Sequence, residues 1–210
     1  MIRNYAIVRE SAARAASAAQ TALDGLREGR VQNEESFTDR MIGAIERSFD
    51  EWRVKQVAWR AMTLTAHQRN AQESEFGADF LGVLDINLSD YNVRKGFLAQ
   101  AKLIEPDASI STAEFNRMKA QCVKMLEHTP DAFIFLYCNE DVFVVPANSV
   151  LGLQRRENPH ALYSRRLARF FEEHFESFIG DPRLHRPDKD GLEELRFAVE
   201  ARRVLMLSAG

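Results

Sequence analysis

Cysteine is scarce in this chain, which contains only Cys122 and Cys138 among its 210 residues. The two are not spaced as C-x-x-C, and one falls in a helical pattern while the other ends a predicted strand. We therefore expect buried, reduced thiols and no disulfide framework. The five histidines are equally dispersed, without the H-E-x-x-H spacing of a zinc enzyme, so we expect no zinc site.

Long hydrophobic runs are also missing. No stretch of about 18 apolar residues occurs, so we expect no membrane span. The N-terminal residues carry scattered arginines and no apolar signal-peptide core, which favours a cytoplasmic protein. The motifs G-x-x-x-x-G-K-[ST], G-x-G-x-x-G and G-x-S-x-G are absent too, and this argues against P-loop, dinucleotide-binding and serine-hydrolase classes.

The composition is that of a soluble globular protein, with 45% hydrophobic and 28% charged residues. The length suits one domain with a sizeable core. A net charge of −3 argues against a protein that coats DNA by bulk electrostatics. It is compatible with a nuclease, because catalytic clefts are acidic and phosphate contacts can be local.

Hydrophobic periodicity predicts an α/β protein whose helices and strands alternate irregularly. The predicted elements are helices over 5–28 and 34–49, strands over 57–66, 80–88 and 97–103, a helix opening at the capping box 111–114, strands over 132–137 and 142–145, and helices over 160–179 and 191–207. The strand–helix–strand crossover over 97–137 requires a parallel pair, so we expect a mixed central sheet flanked by helices. We divide the single domain, 1–210, into an N-terminal helical arm (1–30), a core (33–146) and a C-terminal helical extension (147–210).

One stretch, from Glu73 to Lys102, carries most of the functional prediction. Asp79 stands where an apolar run begins, and a second apolar run ends in Gln100-Ala101-Lys102. A hairpin would place these residues on neighbouring strands, with Gln100 and Lys102 on one face because they are two residues apart. Oxygen atoms of Asp79, the Gln100 side chain and the Ala101 carbonyl could then hold Mg²⁺, or alternatively Mn²⁺. Lys102 could contact a phosphate or help to deprotonate a water.

Two glutamates earlier in the chain could add negative charge to this predicted site. Glu34 and Glu35 open the helix predicted over 34–49, Glu34 near the middle of its apolar stripe and Glu35 on the flank. The alternative is that both only favour the helix N-terminus through its dipole. Likewise, Asp79 could merely open a strand, and Lys102 could protect a strand edge from aggregation.

These motifs, in this order, resemble the PD-(D/E)xK nuclease superfamily. The early helical Glu, E-F-G-A-D, the hairpin to Q-A-K and the following helix and strand are most similar to the Mrr-like restriction endonuclease variants, which carry Gln-x-Lys. The resemblance covers about 33–146 and implies a restriction-endonuclease-like core that cleaves DNA with Mg²⁺ in restriction or anti-phage defence. It implies catalytic roles for Asp79, Gln100 and Lys102, with Glu34 or Glu35 as the helical acid.

The match to this superfamily has two departures. Gly77-Ala78 stands where the family often has a proline before its Asp, and the segment from Asn148 onward has no counterpart. Many relatives act as dimers, so the resemblance implies a homodimer or a complex with a partner protein. Because Gln100 replaces a carboxylate, the alternative is a catalytically inactive subunit that binds nucleic acid or a partner. A helical adaptor is a third hypothesis.

Basic residues near the C-terminal part could contact DNA phosphates. The candidates are Arg155, Arg156, Arg165, Arg166 and Arg169. Arg165 and Arg169 are four residues apart on one predicted helix face, a spacing that could hold successive phosphates. The alternative is a solvated face paired with nearby glutamates. Glu73 and Glu75 are expected to be solvated or to reach a second metal, and Gln121 to be solvent-exposed.

Overall fold

The computed structural model describes residues 5–65, 77–154 and 156–210. Within these ranges one mixed eight-stranded sheet lies between two layers of helices. The helices are α1 (Tyr5–Arg27), α2 (Glu34–Phe49), α3 (Thr112–His128), α4 (Ala147–Gly152), α5 (Leu167–Phe175) and α6 (Lys189–Ala198). The strands are β1 (Arg53–Val54), β2 (Val57–Thr65), β3 (Ala78–Leu88), β4 (Tyr91–Leu103), β5 (Ala132–Tyr137), β6 (Val142–Pro146), β7 (Arg165–Arg166) and β8 (Ala201–Ala209).

The strand order is β1-β2-β8-β3-β4-β5-β6-β7. The hairpin of β3 and β4 is antiparallel, as the sequence predicts, and it lies at the centre of the sheet. β4 and β5 are parallel and are joined through α3, which confirms the crossover over 97–137. The prediction of an α/β protein with a mixed sheet flanked by helices is therefore confirmed. None of the described helices is long and apolar enough to cross a membrane.

The helix predicted over 191–207 is wrong in its second half. The helix α6 ends at Ala198, Glu200 adopts a left-handed φ of 52°, and the chain continues as β8. β8 lies between β2 (antiparallel) and β3 (parallel), and it is covered on both faces. A strand buried on both sides has a near-continuous apolar run, which periodicity alone does not distinguish from a buried helix. The segment 147–210 is thus not a purely helical extension.

The helix predicted over 160–179 is also shorter than expected, since α5 covers only Leu167–Phe175. A short 3₁₀ turn, Pro159–Ala161, and the strand β7 precede it. The Asn158 amide donates hydrogen bonds to three backbone carbonyls of the loop after β4, and its oxygen accepts one from the His160 N–H. These contacts hold the segment as a turn and prevent a longer helix.

The two faces of the sheet have separate cores. On one face α1, α2 and α5 cover an aromatic cluster that includes Phe97, and the alanine-rich face of α1 is buried there. The segment predicted as an arm is therefore part of a packed helical layer. On the other face, α3, α4 and α6 cover aliphatic residues such as Leu98. Because side chains alternate along a strand, Gln100 and Lys102 share the face of Leu98, whereas Ala101 packs beneath α2.

Candidate active site

The residues singled out in the sequence meet at one cleft of about 460 Å³ at the end of β4. Its lining includes Asp79 of β3, Gln100 and Lys102 of β4, and Glu34 and Glu35 of α2. The remaining lining residues are Gln32, Asn33, Leu103, Arg117, Gln121 and Arg202. Helices of both layers therefore contribute to the cleft, α2 from one side and α3 from the other.

Where β3 and β4 separate, the Asp79 carboxylate replaces a backbone carbonyl as the hydrogen-bond acceptor for β4. The β3–β4 register ends at the pair Phe80–Ala99. One position further, Oδ2 of Asp79 accepts a hydrogen bond of 2.7 Å from the Ala101 backbone N–H. Burial raises the pKa of this carboxyl above its usual value, against the opposing effects of the Ala101 N–H and of the positive charge on Lys102.

Gln100 is held directly against this carboxylate. Its Nε2 donates to Asp79 Oδ2 at 2.5 Å and lies 3.3 Å from the backbone oxygen of Ala101. The side-chain N–H groups thus contact two of the oxygens that the sequence assigns to a metal. Each of these oxygens needs a hydrogen-bond donor or a cation, and in this structure the Gln100 amide is the donor.

The donor set at this point suits a hard divalent cation. A carboxylate, a backbone carbonyl and the amide oxygen of Gln100, once that amide turns over, are oxygen ligands of the type that Mg²⁺ prefers. Among the residues that the structure describes, no cluster of three His, Cys, Asp or Glu side chains could hold a metal ion. Metal binding here would therefore depend on Gln100 and Ala101 as well as on Asp79.

Lys102 is almost fully buried and faces an acidic partner. Its side chain is 1% exposed, and its Nζ lies 3.3 Å from Oε2 of Glu34. The other oxygen of Glu34 accepts a hydrogen bond of 3.2 Å from the Leu103 N–H. A buried ammonium is costly without such a partner, so Glu34 both neutralises Lys102 and fixes its position.

The start of α2 is fixed by contacts that place Glu34. The Asn33 side chain caps the helix by accepting from the Ser36 N–H at 2.8 Å. The Thr38 hydroxyl donates to the Glu34 carbonyl at 2.8 Å and lies 3.1 Å from the Tyr137 hydroxyl at the end of β5. The helix N-terminus is therefore tied to the sheet next to Lys102.

Glu35 has a different environment from Glu34. Its carboxylate pairs with Arg202, and Arg203 lies 3.5 Å away. Arg203 is buried and also pairs with Asp39. Of the two candidate helical acids, Glu34 is thus the one that contacts Lys102, whereas Glu35 joins α2 to β8.

Among the lining residues that the sequence does not assign to the site, three belong to α3 and β8. Arg117 and Gln121 lie four residues apart on one face of α3, a spacing that could have been noticed once the helix was placed over the site. Gln121 was expected to be exposed, but its Oε1 is buried and has no hydrogen-bond partner within the described ranges. Arg202 could not be found, because it belongs to the strand predicted as a helix.

The predicted basic cluster lies on ion-paired surface and not in the cleft lining. Arg165 and Arg169 both pair with Glu173, and Arg166 lies 3.5 Å from Asp141. This is the solvated, paired face considered as the alternative. Arg156 is exposed. Arg155, Glu73 and Glu75 lie outside the described residues.

The fold and cleft define a mixed-sheet α/β protein with a polar, charged site at the end of its central hairpin. Comparisons with protein-family models, with curated proteins and with solved structures found no match to this chain. The chemistry of the cleft is therefore the basis for a functional assignment.

Proposed function

We propose that this protein is a deoxyribonuclease of restriction or anti-phage defence that hydrolyses phosphodiester bonds in DNA with Mg²⁺ or Mn²⁺. The observation that carries the proposal is the convergence of Asp79, Gln100, Lys102 and Glu34 in one cleft. The resemblance to PD-(D/E)xK nucleases, and to their restriction-endonuclease-like core, assigns Asp79, Gln100 and Lys102 to catalysis, together with Glu34 or Glu35. The mixed sheet with its central hairpin is compatible with that core.

Each residue has a role that follows from its contacts. Asp79, the Gln100 side-chain oxygen and the Ala101 carbonyl would hold the cation. A bound Mg²⁺ would neutralise charge on the scissile phosphate and acidify a water molecule. Lys102 donates a hydrogen bond to a phosphate oxygen, and Glu34 holds the ammonium in place while it does so. The cleft keeps Lys102 largely out of bulk water, which strengthens its attraction for the phosphate.

A plasmid-cleavage assay tests the proposal. The wild type should nick or linearise supercoiled DNA with Mg²⁺, and Asp79→Asn and Lys102→Ala should lose activity by about 10²-fold or more. Lys124→Ala, which removes an exposed lysine of α3, is the matched control and should keep wild-type activity. Failure of the wild type to cleave DNA with either metal would contradict the proposal.

A second candidate is a catalytically inactive nuclease-like subunit that binds nucleic acid or a partner protein. It is favoured by Gln100, which occupies the place of a carboxylate and already satisfies Asp79 without a metal. Metal titration with thermal unfolding separates the two. An active metal site predicts that Mg²⁺ raises the Tm of the wild type and not that of Asp79→Asn, whereas an inactive subunit predicts no shift in either.

A further inference from the structure

Three neighbouring strands present a row of polar side chains to the cleft. In the parallel pairing of β3 with β8, Ala78 is opposite Ala201 and Phe80 is opposite Arg203, so Asp79 lies beside Arg202. On its other side, Asp79 lies beside Gln100, one position beyond the end of the β3–β4 register. Adjacent strands are about 4.8 Å apart, which sets Arg202 one strand away from the proposed reacting centre.

A second arginine reaches the same cleft from the helical layer above. Arg117 of α3 is 54% exposed, and its nearest ionic partner, Glu114, is at 3.5 Å. Arg202 is 27% exposed and pairs with Glu35 through Nη2. A guanidinium has five N–H donors, so one ion pair leaves each arginine with donors for another anion.

The charges that line the cleft are balanced. Lys102, Arg117 and Arg202 contribute three positive charges, and Glu34, Glu35 and Asp79 contribute three negative ones. A polyanion therefore gains no net attraction from the cleft alone. One divalent cation changes the formal charge from zero to +2, which favours a chain of phosphates.

We propose that Arg117 and Arg202 contact the DNA phosphates that flank the scissile bond, and that DNA enters this cleft only when the divalent cation is bound. The inference rests on the proposed function and names its substrate contacts. The proposed DNA contacts thus lie on the walls of the cleft and not on the surface that carries Arg165 and Arg169. The guanidinium groups of those two arginines are paired with Glu172 and Glu173.

Fluorescence anisotropy of a short labelled duplex, with Ca²⁺ replacing Mg²⁺ so that DNA is not cut, tests this inference. The wild type should bind at least about tenfold more tightly with Ca²⁺ than in EDTA. Arg117→Gln and Arg202→Gln should each weaken binding and reduce the slope of log K against log salt by about 1. Arg202→Lys, which keeps the charge, should restore the slope.

Matched controls are Arg9→Gln and Arg53→Gln, which remove exposed arginines outside the cleft lining and should bind as the wild type does. Circular dichroism establishes that each variant is folded. Equal binding of DNA with and without Ca²⁺, or wild-type affinity in both Arg117→Gln and Arg202→Gln, would overturn the inference.

The plasmid-cleavage assay tests the proposed function separately. Cleavage by the wild type with unchanged binding in the variants rejects only the inference, whereas metal-dependent binding through Arg117 and Arg202 without cleavage rejects only the hydrolysis.

Discussion

Gln100 is the residue whose chemistry decides how the cleft behaves without a metal. Its amide N–H groups lie where a cation would otherwise contact Asp79 and the Ala101 carbonyl. The oxygens of the proposed metal site are thus satisfied by hydrogen bonds within the protein, and a cation bound there would have to displace the amide from the Asp79 carboxylate. A carboxylate at this position would bind metal more strongly and would be repelled by Asp79 when no metal is present.

Gln100→Glu should therefore lower the stability of the protein in EDTA and raise its affinity for a divalent cation. Without metal, two facing carboxylates should lower the Tm by roughly 2–8 °C, the equivalent of about 1–2 kcal/mol in a chain of this size. Adding Mg²⁺ should then raise the Tm of the variant more than that of the wild type, because an anionic ligand has been gained. Thermal unfolding with EDTA and with Mg²⁺ measures both effects.

Gln100→Ala is the companion variant, since it removes the N–H donors and the amide oxygen together. It should lose metal-free stability as the Glu variant does, but Mg²⁺ should not restore it. If Gln100→Glu were as stable as the wild type in EDTA and insensitive to Mg²⁺, the assignment of a metal to Asp79 and Gln100 would be wrong.

Asp79 should reduce the stability of the protein at neutral pH. Its pKa is raised by burial, so the folded state prefers the protonated acid, and stability is lost as the pH rises and the carboxyl ionises. Asp79→Asn, which cannot ionise, should thus unfold at higher denaturant concentration than the wild type at about pH 7. The difference should disappear at about pH 3, where the unfolded and folded wild type are both protonated. A variant that is less stable than the wild type at neutral pH would show that the carboxylate is a net stabilising group.

At the scale of elements, the turn from α6 to β8 determines whether the C-terminal segment completes the sheet. Glu200 holds the left-handed conformation there, which costs a residue with a Cβ about 1 kcal/mol, and it pairs with Lys124 only at 3.6 Å on exposed surface. Glu200→Gly should therefore stabilise the protein by up to about 1 kcal/mol in urea unfolding.

The matched control for that turn is Glu200→Ala, which removes the same ion pair but keeps the Cβ. It should be neutral or slightly destabilising. An equal gain from Glu200→Ala and Glu200→Gly would mean that the charge, and not the backbone conformation, matters at this position.

The same turn shows why the sequence predicts some elements and not others. The hairpin and its polar residues were predictable, because the period of two along β4 places Gln100 and Lys102 on one face and the loop is short. β8 was not predictable, because its buried apolar run becomes a strand only through pairing with β2 and β3, and both lie more than a hundred residues earlier in the chain. Arg202 was lost with it. The choice between Glu34 and Glu35 also needed the structure, because one helical position decides which carboxylate reaches Lys102.

At the scale of the whole molecule, the site lies where the two helical layers meet at one end of the central strands. α2 belongs to the aromatic core and α3 to the aliphatic core, and each contributes side chains to the cleft. Both layers must therefore be packed before Glu34 and Arg117 face each other across the site. Cleft geometry and global stability are expected to change together.

His174 makes that global stability sensitive to acid. It is buried in the aromatic core with its ring edge-on to Phe97 at 4.9 Å, and its Nδ1–H donates to the Ile179 carbonyl at 3.1 Å. Burial lowers its pKa from 6.5 to about 4, and the positive charge of Lys95 acts in the same direction. The folded state therefore prefers the neutral ring. The contribution of His174 to the free energy of unfolding is complete above pH 6.5 and is lost as the pH falls towards 4. The loss amounts to about 3 kcal/mol.

Urea unfolding over this pH range should show the loss in the wild type and a flatter profile in His174→Gln. The glutamine amide can still donate to the Ile179 carbonyl but does not take up a proton. Comparing the two proteins at each pH removes the contributions of other titrating groups, including Asp79, whose protonation acts in the opposite direction. If wild type and variant lost stability equally between about pH 7 and about pH 4, acid sensitivity would have to come from groups outside the aromatic core.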